Sequence, residues 1–266
     1  MNRLAGPIGW LLLPLTGAMM LFILAPLLVT ITLSISDSAY VMFPPHGFTL
    51  RWYGKALADP DFQAAMWFST TLAIAATAAA LALGVPAAFA VVRCEFPGRA
   101  AIAALLLSPL VFPVLITGVA LLQMFSIIGS NNTPLNMLIG HVLVTSPYVV
   151  RTASASLALA DVTLEEAART LGANTWTVFR RITVPQIAPG LAAGALFAFM
   201  VSFDNFPISL WLADAQHNPV PLLVFQMIDN VFDPSVSAIS TLMIIFAMAI
   251  VLIFEKIGGL QRAMAV

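Results

Sequence analysis

The sequence predicts an all-α membrane protein with six transmembrane helices, and three observations carry that prediction. Of 266 residues, 61% are hydrophobic and only 9% charged, with a mean hydropathy of +0.99; a soluble domain carries about a quarter charged residues. Six apolar runs are each long enough to cross roughly 30 Å of hydrocarbon, with tilt where they are longer. One long polar interval, residues 158–186, separates the fourth run from the fifth. No linker or low-complexity tract divides the chain, so 1–266 reads as one transmembrane domain.

The first run, 8–35, exceeds the apolar core of a signal peptide and lacks a small-x-small cleavage site, so it reads as a retained helix. Pro14 and Pro26 are its natural kink positions. A polar loop from Asp37 to Phe62 follows, and its segment Phe48–Lys55 sets aromatic residues beside Arg51 and Lys55. That mixture suits a short helix resting in the interfacial belt. The second span, 64–92, is dense in alanine, and small residues let membrane helices approach closely. A tight basic turn, Arg93–Arg99, leads into the third span, 100–128, where Pro109 and Pro113 can either kink the helix or break it beside a pathway.

The fourth span, 135–157, contains His141, Pro147 and Arg151, the last close enough to the surface to snorkel. The fifth, 187–212, opens with the G-x-x-x-G pair Gly190 and Gly194, a pattern that permits close helix contact. An acidic loop from Ala213 to Pro234 precedes the sixth span, 235–254.

Lys and Arg orient the bundle. Nine of the eleven (Arg3, Arg93, Arg99, Arg151, Arg169, Arg180, Arg181, Lys256, Arg262) fall on one side, and only Arg51 and Lys55 on the other. The positive-inside rule then puts both termini and the interval 158–186 in the cytoplasm. On the outer side six acids, Asp37, Asp59, Asp61, Asp214, Asp229 and Asp233, face two bases. That excess can steer a cation or a basic partner, although such residues are also ordinary solvated loop positions.

Several functions are excluded. A net charge of −1 with no basic stripe argues against a nucleic-acid partner. Cys94 is the single cysteine, so no internal disulfide forms, and scattered His46, His141 and His217 give no support to a metal site. No G-x-x-x-x-G-K-[ST] loop is present, so the chain does not hydrolyse ATP itself. An intramembrane hydrolase would need a nucleophile beside a base, and His141 has no adjacent Ser or Cys motif.

The polar interval reads as two short helices. Thr163 followed by Glu166 has capping-box form, Leu164, Ala167, Ala168 and Leu171 share one face, and Gly172 stands where a left-handed terminator is wanted. Asn174 can cap a second helix bearing Trp176, Phe179, Arg180 and Arg181, and Pro185 suits the first turn of the fifth span. Two readings stand: a connector lying on the membrane surface, or a docking helix for a soluble partner.

A second feature is Asp204, the one carboxylate well inside an apolar run. An intramembrane charge is a functional-site hypothesis by default. Ser202, Phe203, Asn205 and Phe206 surround it in sequence, and an acid among aromatic rings suits an alkylammonium solute through charge pairing and cation–π attraction. The alternatives are a pairing with another chain, a cap for a helix broken near Pro207, or proton or sodium coupling in a secondary transporter.

The spacing Glu166-Ala167-Ala168, Gly172, Ile182, Val184-Pro185 resembles the E-A-A-x3-G-x9-I-x-L-P loop of permease subunits in type I ABC importers, departing only at Val184. Phe48–Tyr53 and Ser202–Asn205 are similar to segments of the spermidine/putrescine-type permeases. The resemblance implies that the first short helix is a coupling helix seated in a cytoplasmic ABC ATPase dimer. Its contacts would be Glu165 and Glu166, with Ala167, Ala168, Leu171 and Gly172 as the seat. It implies ATP and Mg held by that partner, a second permease subunit (often a different chain), a periplasmic solute-binding protein, and a place in the bacterial inner membrane. A polyamine or similar cationic amine is the expected solute, with opines, phosphonates, thiamine and ferric ion as other family solutes.

Overall fold

Apolar runs in a bilayer can satisfy their backbone N–H and C=O groups only as helices or closed barrels. The computed structural model describes residues 7–38, 40, 42, 44–230 and 234–258, and among these it has twelve α-helices and no strand. Residues 1–6 and 259–266, with Arg3 and Arg262, lie outside the described residues, as does Asp233. Among the described residues, five helices are long and apolar enough to span a membrane, or six if one bent pair counts as a single crossing. The chain divides into two units, Met1–Pro60 with Val224–Ile245, and Asp61–Leu223 with Phe246–Val266.

In the first unit, α1 (Pro7–Ser34) continues through Pro14 and Pro26, and most of its large apolar side chains are exposed, as a lipid-facing helix requires. The interfacial segment forms α2 (Arg51–Ala58), three residues later than the aromatic segment begins. Two hydrogen bonds fasten it to the end of α1 and the chain just after it: Trp52 Nε1 donates to the Ser36 carbonyl at 2.8 Å, and Tyr53 Oη shares one with Ser34 Oγ at 2.6 Å. Arg51 lies over the Trp52 ring at 4.4 Å and pairs with Asp37 at 3.2 Å.

The second unit is built on α3 (Pro60–Arg93). The third apolar run breaks: α4 (Arg99–Leu107) and a short 3₁₀ turn, Ser108–Leu110, are bent by 100° from α5 (Val114–Ile127). Of the two options for Pro109 and Pro113, the break is the one adopted, because Pro113 takes an extended ψ of 122° as N-cap of α5. After α6 (Thr133–Leu159) come α7 (Val162–Thr170) and α8 (Thr175–Val178). A π turn, Phe179–Thr183, then joins α8 directly to α9 (Val184–Phe203). The second short helix is therefore the foot of the fifth span. Pro185 has no N–H for the usual bond to the preceding turn, and the wider π turn absorbs that gap.

The fifth run also breaks, between α9 and α10 (Phe206–Leu212), and the expected loop before the sixth span contains α11 (Val220–Asn230), ahead of α12 (Ser235–Gly258). The contiguous apolar stretch after Pro219 explains α11.

Packing in this unit depends on small residues. A methyl added at Gly190 would overlap the Ser156 side chain and come within 3.0 Å of the Thr152 carbonyl; one at Gly194 would meet Thr152 and lie 3.3 Å from Val149 Cα. The G-x-x-x-G pair thus sets α9 against α6 backbone to side chain. Ala88, Ala153, Leu157 and Ile187 form a buried cluster at one end of the unit, and Leu72, Leu121, Met137 and Ile208 belong to another.

Candidate functional site

The polar helix α7 is capped at both ends by its own sequence. Asp161, not Thr163, is the N-cap: its Oδ1 accepts from the Thr163 N–H at 2.9 Å and from the Thr163 hydroxyl at 2.7 Å. Those bonds, the hydroxyl's first, hold the Asp161 carboxyl below the usual carboxylate range. Gly172 has φ +85° and closes the helix, with its N–H on the Arg169 carbonyl at 2.9 Å and the Ala173 N–H on that of Ala168 at 3.0 Å. Together these make a Schellman end, which the left-handed glycine permits. Asn174 caps α8 through Thr177 N–H at 2.8 Å.

α7 is exposed nearly all round, its polar residues Thr163, Glu166, Arg169 and Thr170 included. Its apolar residues face outward, with Leu164 at 51% and Leu171 at 88% exposure, and Trp176 on α8 at 66%. Ala167 and Glu166 are exposed, and Ala168 is half-buried. Glu165 instead turns inward and is 2% exposed. It pairs with Arg93 at 3.5 Å and Arg169 at 3.4 Å, and accepts from the Thr183 hydroxyl at 2.9 Å. The sequence expectation that Glu165 and Glu166 act alike as outward contacts therefore separates into one outward and one inward carboxylate. Exposed apolar residues on this helix suit both readings of the polar interval, a connector lying on the membrane surface and a docking helix for a soluble partner.

The second candidate site lies at the α9–α10 break. Asp204 terminates α9, and the broken end is capped by Asn205, whose Oδ1 accepts from Ile208 N–H at 3.0 Å. The capping alternative for Asp204 thus falls to its neighbour. Asp204 and Asn205 line an open concavity of about 350 Å³ with Val114, Met200, Val201 and Pro207. The other residues expected there point elsewhere. Phe203 is buried and stacks with Phe199 (centroids 5.9 Å apart) and against Phe246 (5.0 Å). Ser202 is buried and shares a hydrogen bond of 2.8 Å with His141 Nδ1. Phe206, half-buried, is not among the lining residues. An aromatic cage around Asp204 is therefore not what the fold builds; the walls are aliphatic and sulfur-bearing. Val114 shows that the other helix break, at Pro113, borders the same space. The His141–Ser202 bond was invisible in the sequence, because 61 residues separate the partners and no spacing links the two.

Apolar helical spans, a polar helix standing outside them and an acid at a broken helix suit a membrane transport subunit. The chain belongs to the family of binding-protein-dependent transport system inner membrane components, whose model matches residues 80–261. It is a multi-pass inner-membrane permease subunit of an ABC importer and not itself an enzyme. The putrescine transport system permease protein PotI of Escherichia coli (strain K12) is 34% identical over 230 residues, spanning 84% of this chain and 82% of that protein. The spermidine/putrescine transport system permease protein PotC of Haemophilus influenzae (strain ATCC 51907 / DSM 11121 / KW20 / Rd) is 28% identical over 236 residues, or 89% and 91% of the two chains. In fold, the chain matches a bacterial ABC transporter involved in the import of the acidic polysaccharide alginate, with a TM-score of 0.73 at 18% identity over 96% of this chain and 98% of that one.

Proposed function

We propose that this permease subunit imports a polyamine or similar cationic amine, driven by a cytoplasmic ATPase dimer that docks on α7. The observation that carries the coupling reading is that α7 stands out from the chain, with Leu164, Ala167 and, at its C-cap, Leu171 exposed, and is held to the chain by the buried carboxylate of Glu165. Covering those apolar side chains with a partner surface removes them from water and stabilises the contact. The excess of Lys and Arg on the same side as α7 supports a cytoplasmic position for it. ATP and Mg would be held by the docked subunits.

The solute reading rests on Asp204. A carboxylate on an otherwise uncharged concavity favours a cation and disfavours an anion, and the similarity to polyamine permeases points the same way. A second permease subunit would supply the other half of the path, and a periplasmic binding protein would deliver the solute. ATP-driven closure of the ATPase pair would move the α7 helices and tip the two halves outward; hydrolysis would return them. Such switching needs ATP to bind one state better than the other.

The test is uptake of labelled putrescine into cells or proteoliposomes carrying the complete complex. Accumulation should require ATP and survive collapse of the proton and sodium gradients. Uptake that continues without ATP and stops with the gradient would overturn the coupling reading. ATP-driven uptake of another solute, with none of putrescine, would overturn the solute reading alone.

A further inference from the structure

Glu165 is a carboxylate on a surface-facing helix, yet it is almost completely shielded, and its partners come from three different places in the second unit. Arg93 is the last residue of α3, Thr183 the last residue of the π turn that feeds α9, and Arg169 lies one turn further along α7. Arg93 also donates to the carbonyl of Ala160, the C-cap of α6, at 3.4 Å. Beside this cluster the Asp161 N–H donates to Gln186 Oε1 on α9 at 2.9 Å. The ends of α3, α6 and α9 are thus tied to α7 through one buried acid and one amide.

Resting on the coupling reading above, we propose that Glu165 is a positioning residue that transmits movement of α7 to α3 and α9 without touching the ATPase. Glu166 and Leu171 are the contact side of the helix; Glu165 is its anchor side. A helix held only by its two loops could roll when pushed. One whose carboxylate is ion-paired to the foot of one span and hydrogen-bonded to the foot of another has to carry both along. Because α9 runs from Thr183 to the break at Asp204, displacement at its foot reaches the candidate solute concavity along a single helix. Burial matters here: the Glu165 carboxylate is 2% exposed while Arg93 and Arg169 reach it from the partly exposed rim, so the acid depends on these partners rather than on water.

The complete complex, reconstituted with its ATPase, second permease and binding protein, tests this by the ratio of solute moved to ATP hydrolysed. Glu165→Gln keeps the shape and the bond from Thr183 but removes the ion pairs. The ATPase should co-purify as with the unsubstituted chain and hydrolysis should continue, while solute moved per ATP falls at least about tenfold, within the usual span of coupling effects. Thr183→Val should lower the ratio by a smaller factor, and Thr183→Ser should restore it. An unchanged ratio in Glu165→Gln overturns the proposal. So does loss of co-purification in step with loss of transport, which would make Glu165 a contact residue. Should Glu165→Gln fail to insert, the Thr183 pair decides: equal ratios for Val and Ser overturn the proposal. An unsubstituted chain that retains no ATPase overturns the coupling reading as well, whereas normal docking with unaltered ratios in the variants overturns this inference alone.

Discussion

Gly172→Trp should leave the chain inserted in the membrane and abolish transport-coupled ATP hydrolysis. The structure separates the two effects. A Cβ added at Gly172 meets nothing within 4 Å beyond its chain neighbours, so the position opens outward from the fold. The left-handed backbone at φ +85° adds a strain of about 1–2 kcal/mol for a non-glycine residue, local to the end of α7. The indole would project from the docking face, and forcing extra bulk into a closely packed contact costs about 1–3 kcal/mol. In association that is roughly ten- to a hundredfold. Gly172→Ala carries similar backbone strain without the bulk, so it isolates the steric part and should retain much of the coupling. Paired measurements of membrane content and of solute-stimulated hydrolysis check both variants. Normal transport by the tryptophan variant would count against docking on α7.

Asp204→Asn should reduce uptake of a cationic amine sharply while leaving fold and basal hydrolysis in place. The substitution is nearly isosteric, and the break it borders is held by the Asn205 side chain and by the Phe206 N–H on the Asp204 carbonyl at 2.9 Å, neither of which needs the Asp204 carboxylate. What disappears is the negative charge on the concavity. Hydrogen bonds to a charged group contribute about 1.5–3 kcal/mol, so apparent affinity should weaken roughly ten- to a hundredfold. The checking measurement is concentration-dependent putrescine uptake. Unchanged kinetics would remove Asp204 from the solute path.

Much of α7 and its ends was legible in the sequence because the signals are local. Gly172, Asn174 and the face of Leu164, Ala167, Ala168 and Leu171, of which only Ala168 is half-buried, each depend on residues within two turns. The N-cap was displaced by two residues for an equally local reason: Asp161 and Thr163 both cap well, and the Thr163 hydroxyl is consumed as a donor to Asp161. Nothing local reveals that Glu165 is buried, since its partners Arg93 and Thr183 are 72 and 18 positions away. The Asp204 neighbourhood was misread through proximity in sequence. Successive residues of a helix diverge by about 100°, so Ser202, Phe203 and Asp204 face His141, the Phe199–Phe246 stack and the concavity respectively. Proline marks positions where helices bend or break, yet only the fold shows that Pro113 and the α9–α10 break border one space.

The most direct test of α7 as the cytoplasmic seat of an ATPase is site-specific labelling. Cys94 is exposed and must first be replaced by serine; a single cysteine is then placed at Leu171, the most exposed apolar position on the helix end. A membrane-impermeant maleimide should leave this cysteine untouched in intact cells and modify it in inverted vesicles stripped of ATPase, with protection returning when the ATPase is added back. Modification from outside intact cells, or labelling indifferent to the ATPase, would contradict the account.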